Sequence, residues 1–146
     1  MTRSIDDVLE YDKRCSRMNL LLKLIQNISD SEYQKKAWIE CSIPNVVDSW
    51  EETICMFFDD TDIDEFLKIL MPELNPEFGV STHQIEQLWK LRNIVDSYNS
   101  KVPKYRYVDP KKVLADPEWH KVVECAKETL KAFDGYKVPT DDMLKF

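Results

Sequence analysis

The apolar residues of this 146-residue chain recur at spacings of three and four almost from end to end, the period of helices with one buried side. Ser4 and Asp7 suit a capping pair, and Val8, Tyr11, Cys15, Met18, Leu22 and Ile25 then mark the first stripe. Ser29 and Glu32 form a second capping-box pattern, and the helix after it turns Tyr33, Ala37 and Trp38 inward and stops before Pro44. Residues 42–49 (SIPNVVDS) read as a loop. Trp50, Ile54, Phe57 and Phe58 give the next stripe, with Glu51 and Glu52 in its first turn, where the helix dipole favours acids. A break at Asp59–Asp60–Thr61 precedes a short helix carrying Ile63, Phe66, Leu67 and Leu70.

The second half has clearer punctuation. Ser81 and Gln84 predict a capping box opening a helix with Ile85, Leu88, Leu91, Val95 and Tyr98 inward. Asp109–Pro110 and Asp116–Pro117 both read as a cap followed by proline at the first helical position. Trp119, Val122, Val123, Ala126, Leu130 and Phe133 line the last helix, and Gly135 is placed to end it. No segment has the alternation of a half-buried strand, although short strands near 39–47 or 102–108 fit the pattern as well. The expectation is an all-α fold: a single compact domain of five to six helices over residues 1–136, with a loose C-terminal tail over 137–146.

Composition narrows the class. Hydrophobic residues at 43% and charged residues at 32% suit a folded soluble domain rather than a disordered chain. Only two glycines are present, which disfavours tight hairpins and glycine-rich phosphate loops. The four cysteines match no metal-binding spacing, and Cys15, Cys55 and Cys125 fall on expected apolar helix faces, where thiols act as small hydrophobes. Neither a secretory leader nor a membrane-spanning run is apparent, so a cytoplasmic protein is expected.

Charge changes the picture most. Between Glu40 and Glu77 lie eleven acids and one basic residue, Lys68, while the whole chain carries a formal net charge of −7. The residues outside this window are therefore net positive. A concentrated negative field attracts cationic partners and repels nucleic acid. Asp59, Asp60, Asp62, Asp64 and Glu65 form its densest part. Helix capping explains some of them, with Thr61 or Asp62 as N-cap and Asp64 and Glu65 in the first turn. It does not explain Asp59 and Asp60, which sit at the end of a helix and oppose its dipole. These five acids are the candidate partner-binding residues. Trp89, beside Leu88 but off the main stripe, is a sixth candidate as an exposed anchor.

Catalytic patterns are sparse. His83 and His120 stand apart from other metal-ligating or nucleophilic residues. Asp60, Asp62 and Asp64 alternate like the start of a calcium loop, but Glu65 and Met71 stand where that loop needs glycine and a bidentate glutamate. No metal, cofactor or catalytic activity is expected.

Three blocks carry a family resemblance: SDSEYQKKAWIE (Ser29–Glu40), FFDDTDID (Phe57–Asp64) and ADPEWHKVVECAKETLKAF (Ala115–Phe133). Their order and spacing resemble small bacterial immunity proteins found beside contact-dependent growth inhibition and other polymorphic toxins. The chain differs in having longer segments around 71–80 and 101–108. The resemblance implies a cytoplasmic, non-catalytic protein that binds and neutralises a toxin domain. With the charge pattern, the expected partner is a cognate basic toxin domain, most simply a nuclease, with no nucleic-acid or membrane partner. Two other functions suit the sequence: a small acidic adaptor or effector chaperone, and a metal-dependent hydrolase using the aspartate cluster.

Overall fold

The computed structural model describes residues 5–102 and 107–139, with side chains from residue 13 onward. Its α-helices are α1 (Ile5–Ile28), α2 (Ser31–Gln34), α3 (Trp50–Cys55), α4 (Ile63–Ile69), α5 (Thr82–Lys101), α6 (Pro110–Ala115) and α7 (Pro117–Ala132). Two of them continue into wider π-helical turns, α2 through Lys35–Glu40 and α3 through Met56–Asp60, and a 3₁₀ turn spans Pro76–Phe78. The fold is all-α, with no strand among the described residues. The expected Ser4 cap and the side chains of Val8 and Tyr11 lie outside them, as do tail residues 140–146. Within the tail, Val138 packs on the core and Pro139 is buried.

Local sequence sets the helix starts. Ser81 and Gln84 form the expected reciprocal capping box. Asp109 and Asp116 cap α6 and α7 by accepting the backbone N–H groups of Lys111 and Glu118, each with proline following. At α2 the cap is Asp30, which accepts from the Tyr33 N–H at 3.0 Å. Ser29 instead donates to the Gln26 carbonyl at 2.7 Å, so its hydroxyl closes α1 rather than opening α2. At α4 neither candidate cap acts through its side chain. Asp62 occupies the N-cap position in the left-handed conformation, φ 48°, without a capping bond. Thr61 is fully buried and donates back to the Phe57 carbonyl.

α7 packs along α5 and also against α1, so the two longest described stripes share one core. Trp119 lies at its centre, fully buried. Its ring centroid is 6.0 Å from Trp38, 6.4 Å from Trp50 and 5.2 Å from Tyr98. Its indole N–H donates at 3.0 Å to Oε1 of Gln34, which is also fully buried. The Gln34 Nε2 donates to the Asn27 and Ile28 carbonyls, each at 2.9 Å, and so satisfies the C-terminal end of α1. One glutamine thus joins α1, α2 and α7. Some positions depart from the expected stripes: Leu21 and Leu24 are buried where Leu22 is half-buried, Thr129 is buried where Leu130 is half-buried, and Tyr33 and Phe58 are half-buried.

Removing the indole donor leaves a buried amide oxygen unpaired. The Trp119→Phe variant is expected to lose about 1–3 kcal/mol of stability beyond any packing change. Urea unfolding should show Gln34→Ala and Trp119→Phe to be clearly non-additive, since each removes the same bond.

Candidate binding surface

The 42–49 loop is held from beneath by a carboxylate. Asp48 Oδ2 accepts the Tyr33 hydroxyl at 2.7 Å and the Trp38 indole N–H at 3.2 Å. Its Oδ1 accepts the Ser49 backbone N–H at 2.8 Å and the Thr53 hydroxyl at 3.1 Å. Tyr33 and Trp38 come from the α2 segment and Thr53 from α3, so one side chain ties the loop to both flanking helices. Burial, reinforced by the bond to Asp48 and its charge, holds the Tyr33 hydroxyl well above its ordinary pKa of 10.0. Burial and neighbouring Asp116 do the same to Tyr98, whose hydroxyl lies 3.2 Å from Asp116 Oδ2.

From this loop α3 runs outward along one acidic side. Ser49 caps it by accepting the Glu52 N–H at 3.0 Å, which leaves the Glu52 side chain exposed. Trp50, Ile54 and Phe57 face the core, and Cys55 is exposed on the other side. This corrects the expectation that Cys55 lies on an apolar face. The wide turn Met56–Asp60 carries the helix one step further than the expected break at Asp59, and the Thr61 N–H reaches back to Met56 O at 3.1 Å. Asp59 accepts from the Cys55 thiol at 3.4 Å. That bond comes first in raising the Cys55 pKa, followed by desolvation and the charges of Asp59, Asp60 and Glu52. The negative charges of Glu52, Asp59 and Asp60 thus lie near enough to act on Cys55, only Asp59 touching it, and none has an ion pair among the described residues.

The remaining predicted acids are differently placed. Asp62 is exposed and makes no side-chain bond among the described residues. Asp64 is drawn away to α5, where Arg92 grips it with Nε–Oδ1 at 2.7 Å and Nη2–Oδ2 at 3.3 Å. Arg92 also reaches Asp96 at 3.3 Å and lies over the Phe58 ring at 5.7 Å. Glu65 pairs with Lys68 at 3.3 Å on the same helix. Trp89 is half-buried and packs against the core. Glu52, which favours the start of α3 through the helix dipole, thus adds its charge to those of Asp59 and Asp60. The i, i+3 spacing of Glu52 and Cys55 was the available signal.

Among the described residues no three His, Cys, Asp or Glu side chains are grouped to hold a metal ion. No described helix is long and apolar enough to cross a membrane. Comparisons with protein-family models, curated proteins and solved structures gave no match.

Two outcomes follow from these environments. Folding favours the protonated form of Tyr33 and Tyr98, so their contribution is fully present below the ordinary tyrosine pKa near 10 and is lost as pH rises beyond it. Urea midpoints should hold steady to about pH 10 and then fall, less steeply in Tyr33→Phe. The exposed Cys55 thiol should alkylate slowly at pH 8, and Asp59→Asn should raise its rate several-fold, read by peptide mass spectrometry against the unmodified sequence.

Proposed function

We propose that this protein acts by stoichiometric binding: an immunity-like inhibitor that covers a basic toxin domain, most simply a nuclease, with an acidic surface. The observation supporting this reading is the group Glu52, Asp59 and Asp60, whose negative charge has no cation beside it in the described fold. Like charges held together cost stability, and a cationic partner offsets that cost on binding. A nuclease groove is lined with the lysines and arginines that hold phosphates, and spaced carboxylates match them in sign. The resemblance of the three sequence blocks to toxin-immunity proteins points the same way.

The blocks themselves have structural work. Tyr33, Gln34 and Trp38 of the first, Thr61 of the second and Asp116 and Trp119 of the third are engaged in internal hydrogen bonds. Binding on this reading falls to the exposed acids Glu52, Asp59, Asp60 and Asp62, the last three within the second block. Coexpression with a panel of basic nuclease toxin domains tests it: a one-to-one complex with one of them and restored growth are expected. Recovery of several unfolded clients instead of one folded partner would favour a chaperone.

The acids also make a kinetic prediction. Replacing Asp59, Asp60 and Asp62 together with Asn should slow association about tenfold at low salt and flatten its salt dependence. Asp64 is left intact, because its bond to Arg92 ties α4 to α5. Stopped-flow rates that match the unmodified protein at every salt concentration would remove the acidic-surface mechanism.

A further inference from the structure

The 42–49 loop leaves an apolar tip in solvent. Val47 is 99% exposed and Val46 is 37% exposed, whereas Ile43 before them packs on the core and Trp50 after them is buried. Val47 stands clear of the fold while Val46 is largely covered by it, and the path of the tip is fixed. Cys41 and Asn45 take left-handed conformations at φ 51° and 63°, and the Val46 N–H closes a turn onto the Ile43 carbonyl at 3.3 Å. Directly after the tip, Asp48 receives hydrogen bonds from Tyr33, Trp38, Ser49 and Thr53. A loop ordered by its own hydrogen bonds loses little conformational freedom on binding.

We propose that Val46 and Val47 are the apolar anchor of the interface, and that their occupant is an apolar pocket rimmed by lysine and arginine on the cationic partner. The inference rests on the toxin-binding reading above and names where its apolar contact lies.

Charge selects this occupant. No lysine or arginine occurs from Glu40 to Glu52, and the tip is flanked in the chain only by acids: Glu40 on one side, Asp48, Glu51 and Glu52 on the other. None of these four has an ion pair among the described residues. Asp48 and Glu51 are instead held by hydrogen bonds, Glu51 to the Val108 N–H at 3.1 Å. A second copy docked through the same tip would bring equal charges together across a two-fold axis. An anionic bilayer and a phosphate backbone are repelled for the same reason. A basic protein surface is the complement, with charge steering the encounter and the valines slowing escape.

The probe is a panel of purified basic nuclease toxin domains; whichever binds the unmodified protein is measured by surface plasmon resonance against it and against Val47→Ser. Because Val47 is 99% exposed, the variant should melt within about one degree of the unmodified protein. Its dissociation should be about tenfold faster or more, as expected for losing a buried valine side chain, with association changed less than twofold. The Asn triple variant should show the reverse pattern. If the serine variant binds normally while the Asn triple variant is impaired, the tip proposal fails and the acidic-surface reading stands. If the unmodified protein forms no complex, both fail. A large fall in melting temperature would make the tip a folding element, and serine-sensitive dimers in sedimentation would make it a self-contact; either result overturns the proposal.

Discussion

The arrangement depends on satisfying one buried amide. Gln34 has no exposed surface, so each of its polar atoms needs a partner within the protein. It finds them in three places: two carbonyls at the end of α1 and the indole of Trp119 on α7. Shifting α2 by one residue would turn Gln34 about 100° away from all three. The same short segment points Tyr33 and Trp38 at Asp48, so the register fixed by Gln34 also sets the path of the 42–49 loop. Gln34 in the core and half-buried Asp48 under the loop are therefore two separate polar anchors set by one short segment of chain.

What the sequence revealed was what local chemistry decides. The Ser81–Gln84 box, the two Asp–Pro starts and the α5 stripe involve partners within four residues, and all are found. Features decided at longer range were hidden. Gln34 meets Trp119 across 85 residues of chain, and Arg92 meets Asp64 across 28. Neither side chain carries a mark of its partner. Cys55 is ambiguous because a thiol suits core or surface; on α3 it stands about 100° round from buried Ile54 and faces solvent. The choice between Ser29 and Asp30 as a cap was a contest between adjacent good cappers, settled by the serine's bond to the preceding helix.

The candidate surface was legible in charge but not in distribution. Counting acids gives a field; folding allocates it. Asp64 and Glu65 are answered by Arg92 and Lys68, and Asp48 is taken up by hydrogen bonding. Of the acids left without an ion pair among the described residues, Glu52, Asp59 and Asp60 lie on α3 and its wide turn, and Glu40, Asp62, Glu73 and Glu77 lie on either side of them. Separating acids that brace the fold from acids that face outward explains how one segment can be both structurally constrained and electrostatically active.

The widened turn at Met56–Asp60 gives this surface a capacity that a regular helix lacks. It accommodates an extra backbone step between two fixed points, buried Phe57 and buried Ile63. Shortening the chain there by one residue would let the helix wind normally while swinging the neighbouring carboxylates through roughly 100°. A change of chain length at this turn thus redirects surface charge while leaving the hydrophobic interior untouched.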